Sequence, residues 1–325
     1  MKTSPVVLVS AVCGDIGAAA VRALRPAAAR IVGCDMRDGC PVRPILDSFY
    51  RAPSASAPSD YMDFLRTVIA REDIDAFLPI SEPEIEALSG RRSEIESLGI
   101  KLLLNNELII DNFIDKLKMI RFLDGLGIRV PKTMPLGLYD GTFGFPIIVK
   151  PRKGYGSKRL WLVEDEVDLA YVRKRDEGLL IAQECIGSGD EEYTTGVFSD
   201  GSRVSSITFR RRLGFGGLSA EAEYSERPFL DALSERVATA TNLRGSINIQ
   251  SRRMGDDLFI PFEINPRLSS TLSLRKHFGF DDAVWWLEAL RGKGHRYERK
   301  FRAGKMVRFV SDYYFDMEDA ATDDR

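Results

Sequence analysis

The sequence predicts an α/β fold with a parallel sheet in its first third and an α+β fold after it. Short apolar, largely β-branched runs alternate with helix-like stretches up to about residue 104, the pattern of βαβ units. Beyond that point, turn signals such as Asp200-Gly201 and Gly255-Asp256-Asp257 separate apolar runs, the pattern of antiparallel hairpins. The chain has 325 residues, which at roughly 100–200 residues per domain gives two or three domains.

In order, Val6–Val9 reads as a strand, followed by the Gly14/Gly17 turn, a helical stretch Ala18–Leu24 and a second strand Ile31–Asp35. This is a Rossmann-like βαβ unit. Arg43–Pro58, with Pro44, Pro53 and Pro58 and with Pro41 just before it, reads as a loop. Tyr61–Ala70 is an amphipathic helix, Ala76–Ile80 a strand, Pro83–Ser89 a helix and Ile100–Leu104 a strand. Lys116–Leu126 has helical spacing and ends at Gly127. After a Pro/Gly-rich connection come strands at Pro146–Pro151 and Leu160–Val163, a helix at Asp165–Arg175 and a strand at Leu179–Cys185. Glu192–Phe198 and Val204–Arg210 form a hairpin, Phe229–Ala240 a helix, Ser246–Arg252 and Leu258–Ile264 paired strands, and Asp282–Leu290 a helix.

Composition narrows the function. With 46 Lys+Arg against 48 Asp+Glu, no excess positive charge drives binding to nucleic acid. Cys13, Cys34, Cys40 and Cys185 form no CxxC pair and lie far from His277 and His295, which disfavours a zinc site and a disulfide scaffold. Neither a signal peptide nor a membrane-spanning run is visible, so the expectation is a soluble, cytoplasmic protein.

Three segments carry chemistry. The Gly14/Gly17 turn with Asp35 has only two of the three glycines of the dinucleotide fingerprint, and Asp15 would oppose a pyrophosphate. A tight structural turn is the favoured reading. Lys150 closes an apolar strand and is followed by a Gly-containing basic loop, Arg152–Lys158. A buried lysine calls for an anionic partner, and glycines let backbone N–H groups approach one, so this segment suits a polyphosphate. On the last strand pair, period-two alternation puts Asn248 with Gln250, and Glu263 with Asn265, on one face each. Such oxygen donors suit Mg²⁺, with phosphates and waters completing its shell, and Arg267 follows to pair with a phosphate. Ser81-Glu82-Pro83-Glu84 reads as a helix cap, His277 as structural, and Trp285 and Trp286 as packing residues.

From about Asp111 onward these features resemble the ATP-grasp superfamily, in the branch of the carbamoyl-phosphate synthase large subunit and biotin carboxylase. Residues 1–104 resemble the pre-ATP-grasp domain. The residues that carry the resemblance are Phe262-Glu263-Ile264-Asn265-Pro266-Arg267 behind Ile-Asn-Ile-Gln, Asp115-Lys116, and Ile-Val-Lys-Pro. It implies a Rossmann-like domain at 1–110, a lid subdomain at 111–186, a C-terminal subdomain at 187–318 and an acidic tail at 319–325. It further implies phosphate-binding lysines at Lys116 and Lys150 and a closing loop of Gly154, Tyr155, Gly156 and Ser157. The adenine hinge would be Gln183, Glu184 and Ile186, with Glu184 and Ile186 using backbone groups. The ribose carboxylate would be Glu192, with Glu191 as the alternative. Metal ligands would be Gln250, Glu263 and Asn265, for one or two Mg²⁺ ions with Mn²⁺ able to substitute. Arg267 and Lys150 would be catalytic.

The implied activity is that of an ATP-dependent carboxylate–amine ligase, working through an acyl phosphate on small-molecule acid and amine substrates, with a homodimer common among relatives. The alternatives are a bicarbonate-using carboxylase or carbamate-forming enzyme and a non-catalytic nucleotide-binding regulator. For the substrate end the candidates are Arg210, Arg212, Ser219, Arg267 and Ser269. Consecutive arginines alternate faces, and a solvated edge is an equal reading for the Arg210–Arg212 run.

Overall fold

A computed structural model describes residues 4–154, 159–214, 217–255, 257–301 and 303–309. The first domain alternates as expected: β1 (Val6–Ser10), α1 (Asp15–Leu24), β2 (Arg30–Asp35), β3 (Ser48–Arg51), α2 (Pro58–Glu72), β4 (Ala76–Leu78), α3 (Glu82–Ser89), α4 (Arg92–Glu96) and β5 (Lys101–Leu102). Its strands pair in parallel in the order β3-β2-β1-β4-β5. The segment read as a loop, Arg43–Pro58, contains β3, an edge strand paired with β2. Its prolines flank the strand instead of interrupting it, which edge pairing tolerates.

Two helices follow, α5 (Glu107–Phe113) and α6 (Lys116–Gly125), and then the small sheet of β6 (Thr133–Pro135), β7 (Ile147–Pro151), β8 (Trp161–Val163) and β9 (Leu180–Glu184), with α7 (Glu166–Arg173) packed on it. The β6 strand falls in the connection read as Pro/Gly-rich. The remaining elements are β10 (Glu192–Ser199), β11 (Val204–Leu213), β12 (Ser219–Tyr224), α8 (Pro228–Ala240), β13 (Gly245–Arg253), β14 (Phe259–Asn265), α9 (Leu272–His277), α10 (Asp282–Ala289) and β15 (Lys305–Val307). They form a six-stranded antiparallel sheet in the order β14-β13-β10-β11-β12-β15. The sequence reading missed β12 and β15, which are rich in charge and lack an apolar run.

This sheet has two unlike faces. One presents Tyr193, Val197, Ile247, Ile249 and Ile264 to a core shared with α5, α6 and α8. The alternate residues Glu192, Thr194, Gln250, Arg252, Glu263 and Asn265 occupy the other face. At its far end this second face is covered by the core that contains Trp285 and Trp286 of α10. There Arg275, fully buried, pairs with Asp282 Oδ2 at 3.0 Å, and Ser246 Oγ donates to the same oxygen. The guanidinium lies so close to Gly196 that a Cβ there would meet Nη1 at 2.2 Å. His295 pins the C-terminal segment: its ring lies against Phe198 and Trp285, between Asp200 Oδ2 and Ser205 Oγ, each at 2.9 Å. Among the described residues no helix is long and apolar enough to cross a membrane.

Removing one member of a buried ion pair strands the other in low dielectric. Arg275→Met should destabilise the protein by about 3–5 kcal/mol in urea unfolding, whereas the double change with Asp282→Leu should recover most of that loss. A single variant as stable as the parent would contradict this.

Candidate active site

The site begins with a row across three strands. Glu192 of β10 lies opposite Arg211 of β11 and Arg252 of β13. Arg211 donates through Nε (3.0 Å) and Nη2 (2.7 Å) to Oε1, and Arg252 Nη2 donates to Oε2 at 3.3 Å. The expected ribose carboxylate is therefore sequestered, both oxygens holding arginines. Glu191 is also engaged, with Arg210 at 3.2 Å and Arg253 at 2.7 Å. Arg210 and Arg212 point outward, the first to Asp190 O and Glu191, the second to Glu221. Arg211, which the sequence reading passed over, is the one that enters the site, and strand alternation around Glu192 is the reason.

The next rows hold the oxygen donors. Gln250 lies opposite Glu263, and Asn248 opposite Asn265. Asn265 Nδ2 donates to Glu263 Oε1 at 3.2 Å, while Asn248 Oδ1 accepts from Thr194 Oγ1. Between Gln250 and Ser251 the register shifts, leaving Phe262 in a bulge. Its ring lies 5.4 Å from Lys150 Nζ and 5.7 Å from Arg252 Cζ, a re-aiming that bulges beside sites often provide.

Two lysines arrive from other elements. Asp115 caps α6, accepting from the N–H groups of Leu117 and Lys118, and binds Arg152 Nη2 at 2.6 Å. This ties the helix to the end of β7 and places Lys116 Nζ 2.8 Å from Gly154 O. Burial pulls the Lys150 ammonium down to about 8, against the upward pull of Glu263 and with help from Lys116 and Arg252. Burial would raise the Glu263 carboxyl, yet Lys116, Lys150 and Arg211 together hold it below the usual carboxylate range. Four cations, Lys116, Lys150, Arg211 and Arg252, thus surround two carboxylates, Glu192 and Glu263. The excess of positive charge, partly buried, suits a polyanion.

Among the described residues no three His, Cys, Asp or Glu side chains cluster as a metal cage. Gln250, Glu263 and Asn265 supply one carboxylate and two amides, a donor set that fits Mg²⁺ sharing its shell with phosphates and water. At the hinge, Gln183 Nε2 donates to Thr133 Oγ1, Glu184 N–H to Lys132 O, and Arg252 Nη1 to Ile186 O. The Glu184 N–H and the Ile186 C=O are therefore committed to protein partners. Tyr155, Gly156 and Ser157 lie outside the described residues. Ser219 is buried, and its C=O accepts from Arg308 Nε, while Arg308 Nη2 donates to Ser270 O. Ser269 Oγ lies 3.0 Å from Thr271 Oγ1.

In the first domain Asp35 accepts from Cys13 N–H and pairs with Arg37, and a Cβ on Gly17 would meet Ala11 O at 2.2 Å. That turn is a packing device. Arg267 Nη2 donates to Glu82 Oε1 of α3 at 2.8 Å, a contact the sequence reading missed. Its only trace in the sequence was an acid at the end of a parallel strand.

The fold matches that of ATP-grasp proteins. Residues 180–313 match the family model described as ATP-grasp in the biosynthetic pathway with Ter operon, and residues 14–103 match the PylC-like N-terminal domain. The chain carries an ATP-grasp domain behind a PylC-like N-terminal domain. It is similar to the carbamoyl phosphate synthase large chain of Campylobacter jejuni, with 22% identity over 237 residues, 66% of this chain and 21% of that one. The chain thus spans about a fifth of that relative's length. Among solved structures, N5-carboxyaminoimidazole synthetase from Staphylococcus aureus complexed with ADP superposes with a TM-score of 0.77 at 15% identity, covering 95% of this chain and 83% of that one. The biotin carboxylase domain of Hydrogenobacter thermophilus 2-oxoglutarate carboxylase, in complex with MgADP and bicarbonate, gives 0.73 at 14% identity, covering 92% and 72%.

An anion beside Lys150 restores its ammonium, so above about pH 8 binding takes up a proton. ADP affinity, measured by calorimetry with Mg²⁺, should weaken above that pH by up to about tenfold per unit. Lys150→Arg should flatten the dependence. Without ligand the sign reverses: the unfolded chain holds more protons between about 8 and 10.4, so this group's contribution to stability rises with pH across that window.

Proposed function

We propose that the protein is an ATP-dependent carboxylate–amine ligase. The observation that carries the reading is the convergence of Lys116 and Lys150, from two separate elements, on Glu263, whose strand partner is Gln250. Lys116, Lys150 and Arg252 bind the ATP phosphates, and Glu184 C=O and Ile186 N–H read the base. Glu192 holds Arg211 and Arg252 toward the nucleotide instead of binding ribose. Phe262 offers a flat apolar floor beneath them.

Gln250, Glu263 and Asn265 would hold Mg²⁺, which neutralises phosphate charge when bound. The substrate carboxylate attacks the γ-phosphorus, and Arg267 stabilises the acyl phosphate that results. An amine then displaces phosphate to give an amide-type bond. Transfer of this kind is mostly positioning and charge neutralisation, which lysines and arginines supply without a protein nucleophile. Enclosing the site matters because an acyl phosphate hydrolyses. Bicarbonate as the acid is the second reading, favoured by the bicarbonate bound in the biotin carboxylase neighbour.

Thermal melting with ADP and Mg²⁺ should raise the midpoint, since a ligand at a hundredfold over its dissociation constant stabilises by about 2.7 kcal/mol. NADH should not. Lys150→Ala and Glu263→Ala should each lower ADP release by about a hundredfold or more while the far-ultraviolet spectrum stays native. Full turnover in either variant would overturn the assignment.

A further inference from the structure

Cys13 and Cys40 stand apart in sequence, yet the first domain brings their thiols into hydrogen-bonding contact. The turn after β1 carries Cys13 to the carboxyl end of β2. There its N–H donates to Asp35 Oδ2 at 2.9 Å, and Asp35 Oδ1 accepts from Arg37 N–H at 2.9 Å. One carboxylate therefore holds both the turn after β1 and the start of the connection from β2 to β3. That connection turns back at Cys40, whose C=O accepts from Arg43 N–H at 3.0 Å. Cys40 is fully buried in the core shared with α1, whereas Cys13 is only partly buried against that core and keeps access to solvent.

Their surroundings make the two thiols unlike. The hydrogen bond from Cys13 pulls Cys40 down to about 7 with help from the amides of Val42 and Arg43, against burial and Asp35. The same bond, with burial and the charge of Asp35, pushes Cys13 up. Near neutral pH the pair thus shares one proton between two sulfurs. Arg37, held on Asp35 at 3.2 Å, attracts both of them. An accessible sulfur with a second sulfur in contact behind it is what thiol–disulfide exchange needs: one to meet the oxidant, one to resolve the mixed disulfide. No step of the ATP chemistry calls for either thiol.

We propose that Cys13 and Cys40 form a reversible dithiol–disulfide site, oxidised by exchange with a low-molecular-weight disulfide. The Cys13 sulfur attacks one sulfur of the small disulfide, whose S–S bond breaks and releases a thiolate. The Cys13 proton passes along the hydrogen bond to Cys40. The Cys40 sulfur then attacks Cys13, the mixed disulfide breaks, and the second small thiol leaves with that proton. The two cysteines together give up two electrons, and the small disulfide is reduced to two thiols. The product staples the turn after β1 to the β2–β3 connection. Asp15, two residues beyond Cys13, lies 3.7 Å from Arg308 Nη1, and Arg308 also holds the Ser219 and Ser270 carbonyls. The staple therefore forms beside a contact between the first domain and the ATP-grasp domain.

The test incubates the reduced full chain with glutathione disulfide at neutral pH, counts free thiols after unfolding and maps the peptides. Of the four thiols, two should be lost, with the Cys13 and Cys40 peptides joined and no glutathione attached. Dithiothreitol should restore all four. Cys40→Ser should stop at a mixed disulfide, with one glutathione on Cys13. Cys13→Ser should leave the buried Cys40 unmodified. Four free thiols in the treated parent would overturn the proposal, and so would a lasting glutathione adduct on its Cys13 or a cross-link that uses Cys34. Glutathione on Cys40 in a folded Cys13→Ser would overturn the assigned order of attack. Should a variant fail to fold, the thiol count and peptide map of the parent decide the matter.

Discussion

The structure is organised around an excess of positive charge on one face of an antiparallel sheet. Lys116, Lys150, Arg211 and Arg252 stand around Glu192 and Glu263, and Lys150 is depressed to about 8 because burial and neighbouring cations oppose its charge. Such a cluster is costly without a counterion. The carboxylates compensate part of it. A bound polyphosphate would complete the compensation. The opposite face of the same sheet is ordinary apolar core, and that core keeps the charged residues in register.

The cations come from separate parts of the chain, and the connections between those parts shape the site. Asp115 links the start of α6 to Arg152 beyond β7, so the two lysines are positioned by one ion pair. Arg252 joins the sheet to the hinge through Ile186 O and also braces Glu192. The first domain reaches in through Glu82 and Asp15, each beside an arginine of the ATP-grasp domain.

Much of this was legible in the sequence. Apolar periodicity located most helices and strands, and the Phe262–Arg267 segment behind Ile247–Gln250 pointed to the oxygen donors, because alternation on a strand is a local property. The hidden parts were those without a local signal. The strands β3, β12 and β15 are edge or near-edge strands with weak apolar patterning, and they are held by neighbours. Arg211 and Arg210 are indistinguishable as letters. Only pairing with β10 assigns one to the site and the other to solvent.

The sequence by itself determined the element order, the doubly built α/β and α+β plan and the residue types able to hold phosphate and a hard cation. Tertiary structure decided which charges meet. Glu192 looked like a free carboxylate until two strands brought arginines to both its oxygens. Glu82 looked like part of a helix cap until Arg267, 185 residues away, was found on it. Periodicity is written in neighbouring residues, whereas the partner of a charge depends on cross-strand register and domain contact. Neither of these is encoded within a single element.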